Sequence, residues 1–171
     1  MTASDVRLQP WSERDFPLLE RLLGDPEMTR YLGGPETPEQ LASRHQRYLN
    51  LNKANSGRML TIVLDGATEP VGSIGYWDSE EHGETFYETG WSVLPEFQGR
   101  GIASKAIAAL LPILRAQAKH RYVHAFPNVD NGPSNAICRK AGFTLLETAD
   151  FEYPKGHWML CHNWRFDLQT L

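Results

Sequence analysis

Between residues 86 and 119 the apolar period changes from two to about 3.6, and this junction constrains the fold more than any other stretch of the chain. Residues 86–94 alternate as a strand, Pro95 closes the run, and Gly99 and Gly101 follow. From about residue 100 to 119, Ile102, Ala106, Leu110, Ile113 and Leu114 then mark one face of a helix, with Pro112 predicting a kink. A strand entering a helix through glycines leaves the first helical N–H groups unpaired, and those orphan donors together with the helix dipole favour an anion, phosphate above all. Two common phosphate loops are excluded. No Gly-x-x-x-x-Gly-Lys-Ser/Thr run occurs, and Gly99-x-Gly101-x-x-Ser104 lacks the third glycine of a dinucleotide fingerprint. Lys119 to Tyr122 fill the neighbourhood where that fingerprint wants an acidic ribose ligand.

The flanks supply the other elements. Residues 6–9 form a short opening strand. Ser12, three before Asp15, starts a helix with Phe16, Leu19, Leu22 and Leu23 inward and a stop near Gly24. Thr37, with Pro38 and Gln40, starts a second helix that buries Leu41, His45, Tyr48 and Leu49. Residues 59–64 and 71–77 pair around Asp65-Gly66, and an acidic loop over 78–84 leads into the strand at 86. Residues 121–126 form another strand, 131–141 a helix ended by Gly142, and 144–151 and 158–168 two final strands. Helices first, a meander next and a β-α-β-α-β run last predict a mixed α/β domain around one sheet, spanning residues 1–171.

Composition narrows the class. A chain of 171 residues suits one domain with a core that needs no staple, and Cys138 and Cys161 form neither a disulfide framework nor a zinc site, so a reducing, cytoplasmic setting and no metal are expected. Residues 1–10 lack the apolar core of a secretory signal, and the longest apolar stretch, 107–114, is too short to span a membrane. A formal net charge of −4 argues against nucleic acid and anionic lipid as partners.

Gln98-x-x-Gly101-x-Ala103 resembles the Gln/Arg-x-x-Gly-x-Gly/Ala loop of the GNAT superfamily of acetyl-CoA-dependent N-acyltransferases. A second run, Asn131-x-x-Ser134-Asn135-x-x-Cys138-x-Lys140-x-Gly142-Phe143, is similar to that family's Asn-x-x-Ser/Ala helix. Val6-Arg7-Leu8-Gln9-Pro10, Glu13-Arg14-Asp15, Asp25-Pro26-Glu27 and Tyr31-Leu32-Gly33 resemble the branch that acetylates ribosomal-protein N-termini. The resemblance implies a mostly antiparallel twisted sheet of about seven strands flanked by about four helices and splayed at an acetyl-CoA slot. It also implies that the coenzyme pyrophosphate lies on Gln98, Gly99, Arg100, Gly101, Ile102, Ala103 and Ser104, the pantetheine along Val93 and Leu94, and further coenzyme contacts at Asn131, Asn135 and Cys138.

Direct attack of an amine on the thioester, without an acyl-enzyme, follows from the same resemblance, with a backbone N–H near Val93 facing the thioester oxygen. Glu88 is the carboxylate placed to take the amine proton through water, and a structural role fits it equally. Cys138 stands where many relatives carry a tyrosine that reprotonates the thiolate, which passes that role to Ser134 and otherwise reads as a small buried residue. Lys140 reads as a charge at a helix C-terminus, His124 and His162 as hydrogen-bonded core residues, and Trp77, Tyr87 and Trp91 as sheet packing with one lining the acceptor cleft. The expected acceptor is a primary amine, of a small molecule or a protein N-terminus, held between the 31–37 and 152–157 loops. Asp25, Glu27, Glu36, Asp78, Glu80, Glu81 and Glu84 are expected to draw its cation. A non-catalytic acyl-CoA-binding module, an enzyme for a longer acyl chain, and either a monomer or a homodimer stay open on sequence alone.

Overall fold

The computed structural model describes residues 5–171; Met1 to Ser4, part of the stretch read as lacking a signal, lie outside them. One sheet of seven strands organises the chain in the order β1-β2-β3-β4-β5-β7-β6. The strands are β1 (Val6–Pro10), β2 (Gly57–Leu64), β3 (Pro70–Glu81), β4 (Glu84–Val93), β5 (Tyr122–Ala125), β6 (Thr144–Glu152) and β7 (Trp158–Asp167). Every neighbouring pair is antiparallel except β4 and β5. The helices are α1 (Phe16–Leu23), α2 (Pro38–Ala54), α3 (Ile102–Gln117) and α4 (Gly132–Lys140).

The predicted helix starts are present as side-chain geometry. Thr37 Oγ1 accepts from the Gln40 N–H at 3.3 Å while Gln40 Oε1 accepts from the Thr37 N–H at 2.8 Å. Ser12 and Asp15 close a similar box, but on a 3₁₀ turn (Glu13–Asp15) ahead of α1. The acidic 78–84 stretch is no loop. β3 and β4 continue through it and turn at His82 and Gly83, whose φ of 52° and 78° are the two left-handed positions of a tight hairpin.

Alternation sends neighbouring strand residues to opposite faces and divides the core in two. Leu60 and Tyr76 join the larger cluster, built on Ile102, Ala106, Ile107, Leu110 and Leu114 of α3 with Cys138 of α4. Met59 joins the smaller one with Trp11, Leu19, Leu22 and Leu41 from the α1 and α2 side, and the next-door residue of Tyr76, Trp77, packs there too. Glu88 follows Tyr87, a member of the larger cluster, so its side chain faces α1 and α2.

Candidate active site

The parallel pairing of β4 and β5 lasts for only Tyr87 with Val123 and Glu88 with His124, whereas β4 stays paired to β3 as far as Val93. The two central strands therefore part just after Glu88, which leaves one edge of β4 open over residues 89–93. Pro95 lies beyond the end of β4 in a short 3₁₀ turn (Pro95–Phe97), and β5, four residues long, simply stops at Ala125. The Leu94 N–H donates to the Val71 carbonyl at 2.9 Å, so alternation turns the N–H and C=O groups of Thr89, Trp91 and Val93 toward the opening. The Gln98 side-chain amide reaches the Val93 carbonyl at 2.8 Å, in keeping with that direction.

Beyond the open edge, α3 begins without a side-chain cap, at Gly101 with φ 74°. Its first helical bond runs from the Lys105 N–H to the Gly101 carbonyl, which leaves the Ile102, Ala103 and Ser104 N–H groups uncapped among the described residues. A Cβ built on Gly99, Gly101 or Gly132 would meet nothing within 4 Å, so the surface over both helix starts is open. An anionic, extended ligand suits such a surface.

A cavity of about 630 Å³ opens beside the parted strands. Its walls include Glu88, Trp91 and Ser92 of β4, Asn128, Asn131 and Ser134 after β5, Arg44, Arg47 and Tyr48 of α2, and Tyr31 and Tyr153 of the loops predicted to hold the acceptor. Those loops do meet, since a Cβ on Gly33 would lie 3.1 Å from Pro154 and 3.3 Å from His157. Glu88 accepts from Trp77 Nε1 at 2.8 Å. Burial pushes its carboxyl up to about 7, the Trp77 hydrogen bond opposes that rise, and Glu81 adds to it. Ser134 lies on the first turn of α4, where the Asn131 side chain caps its N–H at 3.2 Å.

The structure thus brings Glu88, Asn131 and Ser134 to one cavity, with Val93 on the open edge and the exposed 98–101 loop beyond it. It places other expected site residues elsewhere. Leu94 is 1% exposed and its N–H is spent on β3, so it offers nothing to a pantetheine arm. The Ile102 and Ala103 side chains are in the core, and only their N–H groups face out. The Arg100 guanidinium folds back onto the Glu96 carbonyl at 2.9 Å and over the Phe97 ring. Cys138 is fully buried, with its thiol pushed up to about 12 by that burial, and it lines no part of the cavity.

Asn135 is committed on all sides. Its Nδ2 donates to the Asn128 and Asn131 carbonyls, and its Oδ1 accepts from Trp164 Nε1 and pairs with His162 Nδ1, both at 2.8 Å. It ties the loop after β5 to α4 and β7 and has no capacity left for a coenzyme. His124 is buried against Phe86 and pairs with Asn163, and that burial lowers its pKa.

The expected acidic rim is absent from this cavity. Glu36 is paired with Arg44, Glu27 with Arg30, and Asp78 with Lys119 and His120, Asp25 accepts the Met28 N–H, and Glu80, Glu81 and Glu84 sit on the β3–β4 hairpin. Arg44, Arg47, Tyr48 and Tyr153 line it instead, a group that unites α2 with the segment before β7 and that no local sequence pattern marks. No helix is long and apolar enough to cross a membrane, and no group of three or more metal-ligating side chains occurs among the described residues.

Comparison with known proteins shows the fold and the family. The chain is 24% identical over 158 residues to the uncharacterized N-acetyltransferase YnaD of Bacillus subtilis, which covers 92% of this chain and 89% of that protein. The fold matches that of the Salmonella typhimurium acetyl transferase that modifies the N-terminal serine of ribosomal protein L7/L12. The TM-score is 0.78 at 20% identity over 98% of this chain and 97% of that one. It also matches spermidine N-acetyltransferase from Vibrio cholerae, in complex with CoA and spermine, with a TM-score of 0.80 at 14% identity over 96% of each chain. The acetyltransferase (GNAT) domain family matches residues 5–144. The chain belongs to that family, and it is an acetyl-CoA-dependent acetyltransferase.

Proposed function

We propose that the protein transfers the acetyl group of acetyl-CoA to a primary α-amine, on a small molecule or on a peptide or protein N-terminus. The observation that carries this reading is Glu88: a carboxylate raised to about 7, lining a cavity at the point where β4 and β5 part. A base with that pKa is half ionised near neutral pH, which suits proton removal from an attacking amine. An unperturbed α-amine, near 8, loses its proton to such a base at a cost of about 1.4 kcal/mol, against about 4.6 kcal/mol for a lysine-type amine near 10.4. That difference of roughly 200-fold favours the α-amine.

In the proposed reaction the uncapped N–H groups of Ile102, Ala103 and Ser104 hold the coenzyme pyrophosphate, helped by the close approach that Gly99 and Gly101 allow. Pantetheine pairs with the open edge of β4 at Thr89, Trp91 and Val93, and an edge N–H polarises the thioester oxygen as negative charge develops there. The amine nitrogen attacks the carbonyl carbon and the C–S bond breaks. The amine proton passes to Glu88 through water, and the departing thiolate accepts a hydrogen bond from the Ser134 hydroxyl, directly or through water, and takes its proton from solvent.

A thiol-release screen of acetyl-CoA against α-amino peptides, free amino acids, polyamines and aminoglycosides tests this. Turnover with α-amines, and a product mass showing one acetyl group on the α-nitrogen, supports it. Coenzyme binding with no thiol release across the panel would instead mark a non-catalytic acyl-CoA-binding module.

A further inference from the structure

The wall that α2 and the end of β6 give to the cavity has its own chemistry. Arg44, Arg47, Tyr48 and Leu51 recur at three- and four-residue spacing on one face of α2, and all four line the cavity. Arg44 is 8% exposed, and two of its nitrogens are held by Glu36, with Nε at 2.8 Å and 3.0 Å from the two carboxylate oxygens. Its guanidinium lies 6.0 Å from the Tyr48 ring and 5.6 Å from the Tyr153 ring. Burial raises the pKa of both phenols, so at neutral pH they are O–H donors. Arg47 has no carboxylate partner among the described residues, and its charge reaches Tyr153. One carboxylate opposes it on this wall, that of Glu152, which is exposed to water and already accepts the Gly156 N–H at 2.8 Å.

Two guanidiniums and two phenols therefore confront the acceptor with hydrogen-bond donors, while the one buried carboxylate beside them, Glu36, is consumed by Arg44. A polycationic amine meets on this wall only the solvent-exposed carboxylate of Glu152. A carboxylate has Arg47 and the nearby phenols. Glu88 stands on β4, away from this wall in the fold, and Leu32, Trp77, Trp91, Phe151 and Met159 give the cavity an apolar lining.

Resting on the acyltransferase reading above, we infer that the acceptor is a zwitterionic amine with an apolar or aromatic body, whose carboxylate is bound by Arg47 with Tyr48 and Tyr153 while its amine faces Glu88. The amino-acid and short-peptide class meets that description, whereas polyamines and aminoglycosides do not.

The dipeptide Phe-Gly and its C-terminal amide differ only at the carboxylate and serve as the probe pair, with spermidine as the cationic control. The acid is expected to show kcat/KM about tenfold above the amide, expressed in KM, and spermidine to be the poorest of the three. Arg47→Gln, at an exposed position, should keep the fold and the KM for acetyl-CoA yet bring acid and amide to within about twofold of each other, and Arg47→Glu should reverse their order. Equal use of acid and amide by the wild type, or a preference that survives Arg47→Gln, would overturn the inference. If no acceptor releases thiol, the acyltransferase reading fails. The anion site is then judged by calorimetry with N-acetyl-Phe-Gly and its amide, where equal affinities or no binding overturn it as well.

Discussion

Replacing Glu88 by glutamine isolates the energy stored in one buried carboxyl. In the folded chain that carboxyl is raised from its ordinary 4.5 to about 7, chiefly by burial. Below pH 4.5 it is protonated in folded and unfolded chains alike, and it then contributes no pH dependence. Between pH 4.5 and 7 the unfolded chain releases a proton that the folded chain keeps, so stability falls as pH rises. Above pH 7 the whole penalty is present. The interval corresponds to about 3 kcal/mol. Glutamine keeps an oxygen for the Trp77 indole, whose hydrogen bond to Glu88 is 2.8 Å long, and it removes the titration. Chemical denaturation of wild type and Glu88→Gln at pH values from 4 to 9 should therefore show the variant gaining about 3 kcal/mol on the wild type across that range. In thermal scans the gain is roughly 6–12 °C for a chain of this size. All other titrating groups cancel in the difference. A stability difference that stays constant from pH 4 to 9 would refute the placement of a raised, buried carboxyl at Glu88.

Ser134→Ala should lower kcat by about 100-fold, with the KM for acetyl-CoA nearly unchanged, because it removes a donor to developing charge and leaves the Asn131 cap in place; stopped thiol-release assays at saturating substrates read this directly. Asn135→Ala should destabilise the fold by about 2–4 kcal/mol in urea melts, since it orphans the buried Trp164 indole and strips partners from two backbone carbonyls. Cys138 should resist a thiol reagent at pH 8 until the protein is unfolded, because its thiol is fully buried and raised to about 12; rapid labelling of the native protein, located by mass spectrometry, would contradict that.

The features legible in the sequence are those set by neighbours along the chain. The Thr37 box, the Gly101 helix start, the Asn131 cap and the Gly142 stop each need only a few adjacent residues, and each lies where its pattern puts it. The meander and the family's two motifs carried the fold. What escaped depends on register and on contacts across long separations. Whether Leu94 or Val93 turns its N–H to the open edge is decided by which edge of β4 bonds to Val71, a parity that residue types do not encode. Asn135 looks like a motif residue available to a ligand until its four partners, from Asn128 to Trp164, are seen to fill it. The acidic 78–84 stretch reads as a loop because strands disfavour Asp and Glu, but a ladder on one edge and Lys119 and His120 beside Asp78 hold it extended. The cationic wall joins Glu36, Arg44, Tyr48 and Tyr153, whose proximity is purely tertiary.

The central claim is that Glu88, at the parting of β4 and β5, takes the proton from the acceptor amine. The pH dependence of kcat/KM for the best α-amine acceptor, at saturating acetyl-CoA, tests it most directly. Wild type should rise through an apparent pKa near 7. Glu88→Gln should lose that limb and run about 10²–10⁴-fold slower at pH 8 while still binding coenzyme. A variant that keeps both the limb and the rate would contradict the account.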